Sequence, residues 1–187
     1  MKKVILMSIQ PKWLVKILNG EKTIEIRKTM PKCELPIDVY IYCTKTNKKG
    51  WCMVGINGNE TYYQKYDRNA VYSSGHNYIG NGKVVAKFTL NKCYELEYED
   101  TYGESYFWKN TVISGRELCK KSCLDDCELD DYSNGKTLYA WHIDDLVIFN
   151  EPMELREFSA SPYTDWVEYR VRKAPKSWQY IYIKEDK

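Results

Sequence analysis

The sequence predicts an α+β fold whose sheet curls into a barrel. Two observations carry that prediction. Several short segments alternate apolar and polar residues with the period of strands, and a few stretches of about two turns carry helix starts and stops. Strands of mixed length with a few short helices suggest such a domain. With 187 residues, the chain suits one domain over 1–187, able to bury roughly two thirds of its unfolded surface.

The elements follow in order. Val4 to Ser8 reads as a short strand. A helix from Pro11 to about Asn19 follows, with Pro in the first turn, Trp13, Leu14, Ile17 and Leu18 as its apolar side, and Gly20 as its stop. NGEKTIEIRK, residues 19–28, is then a strand in which Ile24 and Ile26 alternate with Thr23, Glu25 and Arg27. DVYIYCT, residues 38–44, alternates again, with Val39, Ile41 and Cys43 opposite Tyr40, Tyr42 and Thr44. Trp51 to Ile56 and Val84 to Leu90 are further strands, the latter prolonged toward Tyr94. Between them a Tyr-rich insert at about 57–82 runs over the surface. Ser114 with Glu117, and Asp125 with Glu128, are capping-box pairs that open two short helices. A turn at Asn134-Gly135, strands at Thr137 to Ile143 and Leu146 to Phe149, a break at Pro152 and a last strand at Trp178 to Ile183 complete the chain.

Composition narrows the function classes. The chain is 43% hydrophobic and 29% charged, as in soluble globular proteins, and no apolar run approaches the roughly 20 residues that cross a bilayer. Lys2 and Lys3 precede an apolar run, but it is too short for a secretory leader, so no membrane association and a cytoplasmic location are expected. Seven cysteines without a leader read as reduced thiols. A net charge of +2 argues against an indiscriminate nucleic-acid binder. The charge is uneven, however: residues 1–50 hold eleven Lys/Arg against four Asp/Glu, and residues 95–131 hold four against eleven.

The helix PKWLVKILNG followed by GEKTIEIRK closely resembles the ASCH domain of the PUA-like superfamily, small β-barrels associated with RNA. DVYIYCT, YAWHI, the EPMEL break and APKSWQYIYI are similar to longer phage- or prophage-associated ASCH proteins of Firmicutes. The resemblance implies a PUA-like curled barrel with a cleft lined by Lys22, Glu25 and Arg27 of the G-x-K-x-x-E-x-R motif. The strand period agrees, since Glu25 and Arg27 lie two apart and share a side. A carboxylate beside a guanidinium, with a lysine as point charge, can bind a nucleotide or assist a hydrolysis.

Some small ASCH relatives remove the acyl group of N4-acetylcytidine with a lysine, a threonine nucleophile and a glutamate, and others are ribonucleases. Lys22 falls on the lysine of that motif, but Glu25 occupies the threonine's place and cannot simply replace a hydroxyl nucleophile. The expected function is therefore RNA or nucleotide binding through a basic cleft. Lys22, Arg27 and Lys28 would contact phosphate, Glu25 would accept from a base or sugar, Trp13, Tyr42 or Trp178 would stack, and Thr44 and Ser177 complete the binding set. The alternatives are a hydrolase with Glu25 as base and Lys22 as charge stabiliser, and a phage protein that contacts a host protein through its acidic 125–131 stretch. No cofactor or metal is expected. Cys119, Cys123 and Cys127 recur every four residues but lack a fourth ligand at a usual spacing, and read as small core residues. His142, between Trp141 and Ile143, reads as a satisfied structural histidine. Tyr62, Tyr63, Tyr66, Tyr72 and Tyr78, interleaved with Lys65, Arg68 and His76, read equally as stacking platforms or as a self-packed loop. Arg170, Arg172, Lys173 and Lys176 are expected near the Lys22 end of the molecule.

Overall fold

The computed structural model describes residues 1–45, 50–55, 62–64, 77–101, 105–164 and 166–184. In chain order the elements are β1 (Lys2–Ile9), α1 (Pro11–Leu18), β2 (Ile24–Arg27), β3 (Ile37–Cys43), β4 (Trp51–Gly55), β5 (Tyr62–Gln64), β6 (Asn77–Ile79), β7 (Val84–Leu90), β8 (Cys93–Thr101), β9 (Ser105–Lys109), α2 (Gly115–Ser122), α3 (Asp126–Ser133), β10 (Leu138–His142), β11 (Asp144–Met153) and β12 (Trp178–Ile183). The fold is α+β. Among the described residues the strands form three sheets, of order β11-β7-β3-β1-β12, β2-β10-β8-β9 and β5-β4-β6. Their ladders do not close into the expected barrel, because the chain changes sheet at β2 and again at β8 instead of continuing one ladder.

β1 and β3 pair in parallel, so the chain must cross over between them. α1 and β2 lie in that crossover, and this is what carries the motif away from the large sheet. Both faces of the large sheet are covered. Ile5, Met7, Val39, Ile41 and Cys43 pack with Leu14, Val15, Ile17 and Leu18 of α1. The alternate residues Val4, Leu6, Tyr40 and Tyr42 pack on the opposite face with Phe158 and Val171. A strand buried on both sides reads as a continuous apolar run, as VILM in β1 does. A third core lies between the β2-β10-β8 sheet and α2 and α3, built on Ile24, Ile26, Leu118, Leu129 and Leu138.

The caps act as their residue types require. Ser114 Oγ accepts from Glu117 N, and Asp125 and Glu128 exchange both capping-box bonds, at 2.7 and 3.1 Å. Four expectations need correction. Pro152 does not break the chain, because β11 is an edge strand, runs through it to Met153, and needs no outward N–H there. The strand at Val84 ends at Leu90, and Cys93 opens a separate strand in another sheet. Cys119 is half-buried, Cys123 caps α2 in the left-handed region at φ 56°, and Cys127 is exposed, so the three share no face and do not all turn inward. His142 packs edge-on to Tyr94 at 5.3 Å, but its Nε2 is buried without a hydrogen-bond partner among the described residues.

Candidate ligand cleft

The backbone around β2 decides where the motif points. α1 ends at Asn19, and Gly20 turns the chain back at φ +74°, a conformation that L side chains rarely adopt. Lys22 N then donates to Lys16 O, which fixes the lysine against the helix end. Along β2, Ile24 and Ile26 enter the core beneath α2 and α3. The period of two sends Glu25 and Arg27 to the other side. There they form the floor of a cleft of about 470 Å³, whose walls come from α1, the end of β1, Lys176 and Ser177 just before β12, and α3.

On that floor the charges interlock. Glu25 Oε2 lies 3.3 Å from Lys22 Nζ, and Glu25 Oε1 lies 3.1 Å from Arg27 Nη2. Lys22 Nζ also donates to Ser122 O at 2.6 Å. Ser122 is the last residue of α2, where the helix dipole favours a cation. Arg27 Nη2 donates to Ser8 O at 2.9 Å and Nη1 to Ser177 Oγ at 3.3 Å. All three residues are buried, with Lys22 only 2% exposed. Two polar atoms of the lining have no hydrogen-bond partner among the described residues, Arg27 Nε and Thr44 Oγ1.

Trp13, Lys22, Glu25, Arg27, Thr44 and Ser177 of the expected set line this cleft. Lys28 is half-buried nearby, with Nζ 4.9 Å from the ring centre of Tyr132. Tyr42 does not reach the cleft. It points to the opposite face of the large sheet, buried with Tyr40 and Phe158, because it alternates with Ile41 and Cys43. Trp178 is not part of the lining either: its Nε1 donates to Thr29 Oγ1 at 2.9 Å and its ring packs on Trp141 and Tyr180. Thr23 is exposed, its backbone tied to Lys121 and Ile143. Of the basic tail, Lys176 lines the cleft, whereas Arg170 and Arg172 border a different groove.

The expectation of a basic cleft needs revision. Against Lys22, Arg27 and Lys176 stand Glu25, Glu128 and Asp131, the last two from α3, so the lining is charge-balanced. Glu128, Asp131 and Tyr132 were missed because α3 is about a hundred residues from the motif; the acidic stretch was visible, but not its partner. Partial burial pushes the Tyr132 phenol above its ordinary value, Arg27 opposes that shift and Glu25 adds to it. Tyr78, half-buried, donates from its hydroxyl to Phe149 O at 2.8 Å and packs on the main core, which removes it from the stacking candidates. Tyr66, Tyr72, Lys65, Arg68 and His76 lie outside the described residues, as do the side chains of Tyr62 and Tyr63. Among the described residues no cluster of three or more His, Cys, Asp or Glu could hold a metal ion. Burial, then Asp126, pushes the Cys119 thiol up to about 11, which disfavours the thiolate.

A mixed sheet fold with a buried Lys-Glu-Arg row on the floor of a cleft lined by Trp13 and Tyr132 describes a small α+β domain. Residues 7–153 match the ASCH domain family, and the chain belongs to it. Domains of this family are PUA-like and generally RNA-binding. The crystal structure of ASCH from Zymomonas mobilis is similar in fold, with a TM-score of 0.54 at 17% identity over 94% of this chain and 85% of that one. A tyrosine-to-phenylalanine variant of the Zymomonas mobilis protein gives 0.51 at 16% over 95% and 89%, and a serine-to-alanine variant 0.52 at 16% over 94% and 85%. No curated protein matches the chain.

Proposed function

We propose that the cleft binds one nucleotide or nucleoside unit of single-stranded RNA. The observation that carries this reading is the buried Lys22-Glu25-Arg27 row on the cleft floor. Burying charges costs several kcal/mol per ion, so such a row is a poor device for stability and a good one for holding donors and acceptors in fixed directions. A volume of about 470 Å³ suits a small ligand more than a duplex. Trp13 and Tyr132 offer ring faces to a base, Lys22 and Arg27 offer donors to phosphate or carbonyl oxygens, and Glu128 and Asp131 offer acceptors to exocyclic amines. Charge balance makes this a selective pocket rather than a phosphate sink.

The hydrolase reading is weaker. Lys22 and Glu25 are adjacent, but each carboxylate oxygen of Glu25 already faces a cation, and the threonine on the cleft is Thr44, not Thr23. The acidic 125–131 stretch lends Glu128 and Asp131 to the cleft, which leaves less of it for a host protein.

The test is titration of the full chain with nucleosides, nucleotides and a single-stranded oligonucleotide, beside incubation with N4-acetylcytidine. Trp13→Ala should weaken nucleotide binding about tenfold, the scale of one stacked base, measured where the variant is fully folded. Wild-type protein that binds none of these ligands would sink the proposal. Acyl release abolished in Glu25→Gln would replace it with the hydrolase.

A further inference from the structure

Residues 154–184 lie beyond the family match and build a second groove of about 670 Å³. Its lining carries Arg156, Arg170, Arg172 and Lys184 against one carboxylate, Glu157, with Val167 as an apolar wall. The segment is firmly tied at its base. Ser159, fully buried, exchanges two backbone bonds of 2.9 Å with Tyr182, Val171 N donates to Phe158 O, and Ala160 N donates to Tyr169 O at 2.7 Å. Ser159 Oγ donates to Thr164 O at 2.7 Å, which closes the loop from inside.

On this pinned loop Tyr163 is 93% exposed, Val167 76% and Trp166 66%. Large apolar groups held in water close together in sequence suit a contact surface. Exposed rings on the segment that lends Val167 to a groove with a surplus of guanidinium groups fit the chemistry of unpaired nucleic acid, where bases stack and cations follow the backbone. The position agrees: Ser177 at one end of β12 lines the cleft, and Ile183 and Lys184 at the other end line the groove. Six residues of strand place the two about 20 Å apart.

We infer that this groove is a second, sequence-independent contact for the same RNA strand, with Arg156, Arg172 and Lys184 on phosphates and Trp166 and Tyr163 on bases. The inference rests on the RNA reading of the cleft. Phosphate contacts here position the strand, and the balanced cleft reads one unit of it.

The experiment compares the full chain with an Arg156→Ala/Arg172→Ala double variant and with Trp166→Ala, using a labelled oligouridine, a mononucleotide and polyglutamate as probes over a range of salt. The double variant should lose oligouridine affinity at least tenfold and flatten its log-log salt dependence by about 1.4, two cations at about 0.7 each. Trp166→Ala should lose about tenfold with the slope intact. Mononucleotide affinity and melting temperature should not change. Unaltered oligouridine affinity and slope in the double variant overturn the groove while leaving the cleft reading in place. Polyglutamate binding that the double variant loses, with oligouridine unaffected, overturns it in favour of an acidic protein partner. Wild-type protein that ignores oligouridine and mononucleotide alike removes the cleft reading and the groove together.

Discussion

The cleft at Lys22 and the groove at Arg172 both gather cations, yet they hold them in opposite ways. In the cleft Lys22 and Arg27 are buried, share one carboxylate and are each fixed by a carbonyl, from Ser122 and Ser8. In the groove Arg156 and Arg172 are exposed and outnumber the carboxylates. Charges of the first kind cost desolvation and gain direction, whereas those of the second kind cost little and act through salt-dependent attraction. One molecule thus keeps fixed, direction-giving charges in one region and loosely held, salt-sensitive ones in another.

The sharpest break of this contrast is in stability. Glu25→Ala leaves two buried cations without their shared partner and should cost about 3–5 kcal/mol, read as a lower urea midpoint. Arg172→Ala should stay within about 0.5 kcal/mol of wild type. Equal effects would mean that the Glu25 row is solvated after all. A smaller effect is expected from salt: oligouridine affinity should fall steeply between about 50 and 200 mM, and mononucleotide affinity much less, because a balanced cleft captures few net charges. Parallel slopes would merge the two regions into one electrostatic site.

The smallest effect concerns pH. Burial holds His142 below its ordinary value of 6.5, with Asp144 pulling the other way. The unfolded chain therefore takes up the proton first, so stability is complete above about 6.5 and declines as pH falls from there toward the folded-state value. His142 pairs with Ile24 across the β10–β2 ladder, so the loss falls on the strand that carries the cleft. His142→Phe should flatten that slope of melting temperature against pH, and the groove variants should not.

The strands buried on one face or capped by turn residues were legible, because alternation and caps are local signals. The Ser114 N-cap, the Asp125–Glu128 capping box, α1 with its Pro11 and Gly20, and β12 fall within a residue or two of where local rules put them. The β8–β9 hairpin is absent from the sequence reading although Tyr94, Leu96 and Tyr98 alternate with Glu95 and Glu97. The open sheets were not legible, since local period says nothing about which ladder a strand joins. In the cleft the same limit holds. Alternation put Glu25 and Arg27 on one side, but the burial of that side depends on Ser8, Ser122, Ser177 and α3, all distant in sequence. Tyr42 shows the converse: the residue alternates as expected, yet its polar-looking face is covered by Phe158.

The joint between β1 and β12 has a consequence for the timing of synthesis. Ser8 Oγ donates to Pro175 O, and Arg27 reaches Ser177 across 150 positions. A ribosome adding about 5–20 residues per second needs on the order of 10 s to travel from one to the other. Until the last strand emerges, the wall that holds Arg27 does not exist, and the nascent chain carries its motif without a pocket. The floor of the cleft is therefore complete only after residue 177 has been made, long after the motif that forms it.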